Sequence, residues 1–340
     1  MFLSKRSNGV YYLWFKNEDG KKQKLSTGVS IKSEALKFLL HYKGEIHKDQ
    51  KAHKSKSLNQ FYAEYLKYSE SIHTPKTQHS IKNSFREFIR IIGDVQLGKI
   101  GVRELEFFLA QKKAEASTWT AKKYYTHLAS AFQTAVRWNY LSSNPFKLVV
   151  KPKTVELVPQ YFSKDEFRKL YDKIDREEYR EICIIALYTG LRLGELTNLQ
   201  WGDIDLTNRI LLLRNRDGFT TKTRKNRTIP LNESVYNLLM NMKAKASCDF
   251  VFHDRKLKLK DKRVSKRFKV YVRKAELNDK LHFHSLRHTF ASWLVQAGVS
   301  LYEVQRLLGH SNISVTQVYA HLQPEKLHDT VNKIIIALNS

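Results

Sequence analysis

Residues 284–322 carry the most informative pattern in the chain and read HSLRHTFASWLVQAGVSLYEVQRLLGHSNISVTQVYAHL. Apolar side chains recur every four residues in the first part of this stretch, at Leu286, Phe290 and Leu294. This spacing predicts an amphipathic helix with one buried stripe. His284 and Arg287 are three residues apart, so we expect them to share a face at the start of that helix.

The second part of the stretch predicts a shorter helix that ends at a glycine. Its apolar positions are Val304, Leu307 and Leu308. Gly309 is a typical helix stop, which places His310 in the turn beyond it, and Tyr319 follows nine residues later. Two imidazoles, a guanidinium and a phenol therefore come from separate short elements. Such a set suits chemistry on a phosphate anion better than acid-base work on sugars or metal-assisted hydrolysis.

A third motif, TGLRLGEL, lies upstream at residues 189–196. Gly190 allows the backbone to turn so that Arg192 points into a cleft. Glu195 follows one helical turn after Arg192, where it either holds the guanidinium in place or forms an ordinary surface pair. An HxxR spacing by itself often arises by chance, and a tyrosine such as Tyr319 by itself is more simply explained by packing. The functional prediction therefore depends on the three motifs occurring together.

The three motifs TGLRLGEL, HSLRHTFASWL and LLGHSNISVTQVYAH resemble the three boxes of the tyrosine recombinases, which include phage integrases and Xer proteins. They occur in the order found in that family and cover most of the C-terminal half. The resemblance implies six catalytic residues: Arg192, Lys222, His284, Arg287, His310 and Tyr319.

Lys222 is assigned from the stretch TKTRKNRTIPL, residues 221–231. Family members place a catalytic lysine at a hairpin followed by a basic residue and an apolar-Pro ending, and Lys222 lies eight residues before Pro230. Lys225 is the competing candidate because it lies in the predicted turn itself. We predict short strands over 210–213, 219–222 and 228–229 around these turns.

The resemblance implies attack by Tyr319 on a DNA phosphodiester, with a covalent 3′-phosphotyrosine intermediate and no metal or other cofactor. Arg192 and Arg287, charged at any workable pH, would bond the non-bridging phosphate oxygens, and His310 would donate a further hydrogen bond. An ordinary phenol has a pKa of about 10, so the nucleophile needs a base, for which His284 is the nearest candidate. Lys222 would protonate the leaving 5′ oxygen.

The charge of the chain indicates a polyanionic partner. The 340 residues include 60 Lys and Arg against 33 Asp and Glu, a formal net charge of +27. Such a surplus favours phosphate contacts. An anionic membrane is the rival partner, but no long apolar run or membrane-lying basic helix supports it. We therefore predict double-stranded DNA as the partner and no membrane association.

The cysteines indicate a reducing compartment. Cys183 and Cys248 are far apart and match no CxxC pattern, and Cys183 lies in an apolar helical run where it is most simply a buried side chain. With no apolar signal-peptide region near Met1, we expect a cytoplasmic protein associated with the nucleoid, or a nuclear one if its host has a nucleus. The spacings of His282, His284 and His288 would permit zinc in principle, but no Cys or carboxylate stands beside them.

The N-terminal 50 residues predict a small β-ribbon followed by a helix. Residues 9–27 alternate around the turn 17–20, and a capped amphipathic helix is predicted from Ser33. This ribbon is similar to the arm-binding domains of many integrases, although it could also be a β-decorated extension without a DNA site of its own. Residues 48–56 are polar and basic, which predicts a linker.

Residues 57–147 predict a helical bundle, and residues 160–340 a mostly helical domain with a small antiparallel sheet. Four apolar stripes at helical spacing define the bundle, and they include Phe61, Phe85, Phe108 and Phe132. Residues 147–160 predict a linker that would let two basic domains close on a duplex, and Ser163 with Glu166 predicts a capping box. The fold class is therefore mainly α with small β elements.

Two segments of the C-terminal domain carry further expectations. Residues 257–273 are basic with apolar side chains at helical spacing, so one face should pack and the other is available to phosphates. Residues 327–338 predict a final amphipathic helix, which either docks into a neighbouring protomer or folds back on its own domain.

The resemblance implies a site-specific recombinase that acts as a homotetramer on two duplex sites, with an accessory directionality factor as a further candidate partner. The arm-like N-terminus favours an integrase of a mobile element over a Xer-type resolvase. A type IB topoisomerase and a DNA-binding regulator that has lost catalysis are two rival functions. By resemblance to that family, residues 57–147 of this chain would be the core-binding domain and residues 160–340 the catalytic domain.

Overall fold

The structure, a computed structural model, describes residues 1–16, 22–53, 56–155, 158–221 and 225–323. The chain divides into two units, Met1–Glu156 and Leu157–Ser340. Helices dominate both units and the strands form small antiparallel sheets, so the predicted fold class is confirmed. Among the helices in the described ranges, none is long and apolar enough to span a membrane.

The first unit begins with a three-stranded antiparallel sheet and one helix. The elements are β1 (Phe2–Lys5), β2 (Tyr11–Lys16), β3 (Lys22–Ser26) and α1 (Lys32–His53). Leu13 of β2 lies opposite both Leu3 and Leu25, and it is fully buried, as is Ala35 of α1. The predicted turn at 17–20 lies outside the described residues.

The predicted linker over 48–56 is wrong for its first part, because α1 continues to His53. This stretch contains Lys, Gln and Ala, which are good helix formers, and it lacks the Gly or Pro that would end a helix. Low apolar content by itself does not terminate a helix. Ser33 likewise lies inside the first turn of α1, which begins at Lys32.

The rest of the first unit is the predicted four-helix bundle. Its helices are α2 (Leu58–Ile72), α3 (Pro75–Ile92), α4 (Val102–Glu115) and α5 (Thr118–Arg137). Ser57 caps α2, and Thr74 caps α3 with a proline in its first turn. The stripes meet in an aromatic core whose rings are fully buried: Phe61, Phe85, Phe88, Phe108 and Phe132.

The second unit holds seven helices within the described residues, together with two small sheets. The helices are α6 (Lys164–Asp172), α7 (Glu177–Thr189), α8 (Leu193–Thr197), α9 (Glu233–Ala244), α10 (Asp261–Lys274), α11 (Phe283–Gln296) and α12 (Leu301–Leu308). The sheets are β4–β5–β6 (Ile204–Asp205, Ile210–Leu213, Arg227–Pro230) and the pair β7–β8 (His253–Asp254, Leu257–Lys258). Ser163 and Glu166 form the predicted capping box at α6, with hydrogen bonds of 3.1 and 2.8 Å. The predicted final helix over 327–338 lies beyond the described part of the chain.

The sheet β4–β5–β6 differs from the prediction at the second predicted strand, residues 219–222. The strands over 210–213 and 228–229 are confirmed, but Phe219 makes only an isolated bridge to Arg216. The backbone N–H of Thr221 donates to the side-chain oxygen of Asn215 (2.8 Å), which removes a donor that a neighbouring strand would use. The basic segment 257–273 is also divided, since its start forms β8 before α10 begins.

We predict that Phe85→Ala lowers the free energy of unfolding of the first unit by about 3–5 kcal/mol, because it leaves a cavity in a fully buried aromatic core. Phe107→Ala is the matched control, since this side chain is 61% exposed on the neighbouring helix α4 and should cost less than about 1 kcal/mol. Urea unfolding followed by circular dichroism measures both, and equal losses would contradict the assigned core.

Candidate active site

Arg287 is buried where two helices end. It lies on the second turn of α11 and is only 2% exposed. Its Nη1 donates to the carbonyl of Gly190, which follows α7, and its Nη2 donates to the carbonyl of Leu308, the last residue of α12, both at 2.6 Å. Carbonyls at helix C-termini lack intrahelical partners and carry partial negative charge. One guanidinium therefore joins all three sequence motifs.

Burial alters the charge behaviour of this arginine. Removal from water, followed by the positive charge of Arg192, lowers the pKa of Arg287 to about 9. The guanidinium stays charged at neutral pH, but the expectation that it is charged at any workable pH is too broad. Its two bonds to carbonyls also leave three of its five N–H groups for other acceptors.

Two glycines make this junction sterically possible. Gly190 and Gly309 end α7 and α12 with positive φ values of 63° and 64°. A Cβ at Gly190 would lie 2.5 Å from the ring of Phe290, and a Cβ at Gly309 would lie 2.7 Å from the side chain of Arg227. Both positions require glycine for backbone shape and for close packing, as the sequence pattern predicted for the helix stop.

Glu195 links Arg192 to a second arginine. Its carboxylate accepts from Nη1 of Arg192 at 3.0 Å and from two nitrogens of Arg227 at 3.0 and 2.7 Å. It also accepts from the backbone N–H of Arg192 at 2.9 Å. Glu195 is only 3% exposed. It therefore holds the guanidinium of Arg192 in place and does not form an ordinary surface ion pair. Burial by itself would raise the pKa of this carboxyl, but Arg227 and then Arg192 lower it to about 2.

His310 lies in the turn after α12, as predicted, with one ring nitrogen held. Nδ1 is 2.9 Å from the hydroxyl of the buried Thr316, so Nε2 is the nitrogen that can face a ligand. Burial, followed by the charges of Arg287, Arg192 and Arg227, lowers the pKa of His310 to about 3. The ring is therefore neutral at neutral pH and lies within the field of all three arginines.

Tyr319 is buried on the 3₁₀ segment Gln317–Leu322. It is 3% exposed and packs in a small apolar cluster against α11 and α12. Its hydroxyl oxygen lies 2.6 Å from Nδ1 of His288. The prediction that His284 is the imidazole nearest to this hydroxyl is therefore wrong, because His288 occupies that place. Burial raises the pKa of Tyr319 to about 12, and the charge of Arg287 opposes that rise.

His284 and His288 lie on successive turns of α11 with their rings perpendicular and 4.9 Å apart. His284 is exposed, which leaves it accessible to a ligand at the start of the helix. The protein atoms packed around its ring, and then the charges of His288 and Arg287, lower its pKa to about 3. Five predicted residues thus come together in one site: Arg192, His284, Arg287, His310 and Tyr319.

The remaining predicted residue, Lys222, lies outside the described residues. Its competitor Lys225 is described and its side chain is exposed. Sequence reasoning missed two residues that the structure brings to the site, Arg227 and His288. Arg227 lies in the stretch TKTRKNRTIPL just after the lysines, and His288 lies directly after Arg287, so both were inside the motifs but had no assigned partner.

No group of three His, Cys, Asp or Glu side chains within the described ranges is arranged to hold a metal ion. His282 uses its Nδ1 on the hydroxyl of Ser285 at 2.8 Å, and His288 uses its Nδ1 on Tyr319. Two of the three histidines considered for zinc therefore make other hydrogen bonds. The site combines fixed positive charge, neutral imidazoles and a buried phenol, which together suit attack on an anionic phosphate.

We predict that Glu195→Gln destabilises the protein by about 3–5 kcal/mol, because it leaves two arginines beside each other without their buried counter-charge. The folded pKa of about 2 lies below the ordinary 4.5, so this stabilisation is present above pH 4.5 and is lost as the pH falls towards 2. Urea unfolding at several pH values measures the difference, which should shrink over that window. Glu233→Gln is the control, since its pair with Arg209 is exposed and contributes at most about 1 kcal/mol.

Comparison with known proteins gives two family matches along the chain. The Phage integrase family matches residues 160–326, and the Phage integrase SAM-like domain matches residues 57–154. A tyrosine recombinase of Thermosipho africanus (strain TCF52B) is 29% identical over 285 residues, which cover 81% of this chain and 98% of that protein.

Two further proteins extend the comparison. The tyrosine recombinase XerC of Bacillus licheniformis is 31% identical over 263 residues, covering 72% of this chain and 84% of that protein. A crystal structure of a lambda integrase tetramer bound to a Holliday junction matches with a TM-score of 0.67 at 21% identity, covering 92% of this chain and 96% of that one. On the motifs, the fold and these relatives together, the chain belongs to the tyrosine recombinase family, whose members break and rejoin DNA strands.

Proposed function

We propose that the protein is an integrase of a mobile element, which recombines specific duplex DNA sites through a covalent 3′-phosphotyrosine. The observation that carries this proposal is the placement of Tyr319 against α11, beside the buried cation of Arg287 and within hydrogen-bond distance of an imidazole. A phenol held in this way is a nucleophile directed at an anionic group, because a phosphate is the ligand that the fixed positive charges attract.

The arginines supply the field in which the phosphate reacts. Attack on a phosphodiester adds negative charge to its non-bridging oxygens. We propose that Arg192, the N–H groups of Arg287 that remain available, and Nε2 of His310 donate to those oxygens. The exposed His284 provides a further donor at the start of α11. These donors are held by Glu195, by backbone carbonyls and by Thr316, so little reorganisation is needed when the charge develops.

The bond changes balance without metal or ATP. The O–H bond of Tyr319 breaks and its proton passes to a neighbouring base, while the phenol oxygen bonds to phosphorus. The bond from phosphorus to the 5′ oxygen breaks. Lys222 donates the proton that the leaving oxygen takes up. The 5′-hydroxyl of a second strand then attacks the phosphotyrosine in the reverse sense, which conserves the phosphodiester energy and exchanges the strands.

The N-terminal sheet favours an integrase over a Xer-type resolvase. Strands β1–β3 form a small separate sheet whose third strand is exposed along its whole length and carries Lys22 and Lys24. We propose that residues 1–50 bind arm-type DNA sites, residues 57–147 bind the core site and residues 160–340 carry the chemistry. The lambda integrase tetramer on a Holliday junction supports a homotetramer on two duplexes, and an accessory directionality factor would set insertion against excision.

We predict that the wild type forms a covalent protein-DNA adduct on a suicide duplex and that Tyr319→Phe forms none. The duplex carries the ends of the element that flanks the gene and is nicked just beyond the scissile phosphate, so the released 5′-hydroxyl fragment diffuses away and the strand is not rejoined. Denaturing electrophoresis detects the adduct, and both proteins should bind the duplex equally well.

Different outcomes of this assay would select one of the rival functions. Tight binding by both proteins with no adduct would favour a DNA-binding regulator that has lost catalysis. Adduct formation with supercoil relaxation on any sequence, and without recombination of paired sites, would favour a type IB topoisomerase. Recombination that needs only core sites and no arm sites would favour a Xer-type resolvase.

We predict that Lys222→Ala lowers the rate of adduct formation about 10²–10⁴-fold and that a bridging sulfur in place of the scissile 5′ oxygen restores it. A thiolate leaves without being protonated, because a thiol has a pKa of about 8.5. Lys225→Ala is the matched control and should behave as wild type on both duplexes. If Lys225→Ala slowed the reaction and Lys222→Ala did not, the general acid would be Lys225.

A further inference from the structure

Among the described side chains, only His288 lies within hydrogen-bond distance of the Tyr319 hydroxyl, through its Nδ1 at 2.6 Å. It lies on α11 directly after Arg287, half-buried, and it is not among the residues that the family motifs imply as catalytic. Tyr319 is 3% exposed, so the contact is shielded from bulk water. A hydrogen bond in such a place sets both the direction of the hydroxyl and the destination of its proton.

The packing around this pair holds it in one arrangement. Tyr319 lies in an apolar cluster with Ala291 and Val295 of α11 and with Val304 and Leu308 of α12. The phenol ring and the imidazole are therefore carried by elements that pack against each other, with ring centroids 6.0 Å apart. The position of the nucleophilic oxygen is fixed relative to α11, which also carries the phosphate-binding Arg287.

The charges around His288 keep its ring neutral. Burial, followed by the charges of His282 and Arg287, lowers the pKa of His288 to about 4, and the ring of His284 lies perpendicular to it at 4.9 Å. From the 3₁₀ segment, the titratable group that faces it is the phenol of Tyr319 itself. At neutral pH the ring carries a proton on only one of its two nitrogens. When that proton is on Nε2, Nδ1 is the nitrogen that can accept a proton.

We propose that His288 accepts the hydroxyl proton of Tyr319 as the phenol oxygen attacks the scissile phosphate. This role rests on the proposed phosphotyrosine chemistry and assigns to His288 the base that the sequence pattern placed at His284. The O–H bond of Tyr319 breaks and its proton moves to Nδ1, while the oxygen bonds to phosphorus and the 5′ oxygen leaves with a proton from Lys222. On rejoining, the phenol oxygen leaves phosphorus and takes its proton back from Nδ1.

Substrate binding favours this transfer. The phosphate brings negative charge next to Arg287, which offsets part of the positive field that lowers the basicity of the imidazole. The phenol becomes more acidic as its oxygen bonds to phosphorus, so proton transfer and attack proceed together. Without DNA the hydroxyl keeps its proton, which limits reaction at other phosphates.

The test compares full-length wild type, His288→Asn and His288→Ala on the suicide duplex with a bridging sulfur. That substrate removes the need for an acid, so the rate reports only on the nucleophile. Asparagine places an amide oxygen near the position of Nδ1, where it accepts the hydrogen bond but takes up no proton. His321→Ala is the matched control, because this exposed histidine lies on the same 3₁₀ segment as Tyr319 and has no part in the proposed proton transfer.

Both His288 variants should form the adduct about 10²–10³-fold more slowly at pH 7, with DNA affinity unchanged. Their rates should rise about tenfold per pH unit between pH 6 and 8, because they depend on the small phenolate fraction, whereas wild type and His321→Ala stay nearly flat. A structural role would lower the rate without adding this slope.

Two further results would overturn the inference, and they differ from failure of the proposed function. A wild-type rate and flat pH profile for His288→Asn would show that the residue only positions the hydroxyl. A wild-type rate for His288→Ala would remove it from the reaction altogether. If wild type itself forms no adduct, the phosphotyrosine function fails and this inference falls with it.

Discussion

The second unit depends on a single buried cation. Arg287 donates to the carbonyls that end two helices, and these carbonyls belong to the other two sequence motifs. The partial negative charge at those helix ends offsets part of the cost of burying the guanidinium, although burial still lowers the pKa of Arg287. Because the helices must end at this point, the glycines with positive φ at 190 and 309 follow as a geometric requirement.

Around this cation the site is organised by buried polar contacts between distant parts of the chain. Glu195 pairs with both Arg192 and Arg227, which reduces the mutual repulsion of the three arginines that share this small volume. Thr316 holds the ring of His310, and His288 holds the hydroxyl of Tyr319. Arg192, Arg287, His310 and Tyr319 are therefore held in place without DNA, as electrostatic stabilisation of a transition state requires.

The same burial shifts the pKa values of the phenol and the imidazoles in the site. It raises the pKa of Tyr319 to about 12 and lowers the pKa of the neighbouring imidazoles to about 3 or 4. Both shifts oppose proton transfer from the phenol. In the proposed mechanism, an incoming phosphate would supply the negative charge that this positive, buried site lacks, which would couple reactivity to the presence of the substrate.

The sequence by itself determined the residue types, the helices and the family. Apolar spacing located α2–α5, α11 and α12, and the three motifs identified five of the groups that meet in the site, since periodicity and helix stops are local properties. Only the tertiary structure decided which groups touch. The contact between His288 and Tyr319 spans 31 residues, and that between Glu195 and Arg227 spans 32. Helical spacing shows that His284, Arg287 and His288 lie near one face of α11. It does not show which of the two histidines contacts Tyr319, because Tyr319 belongs to another element.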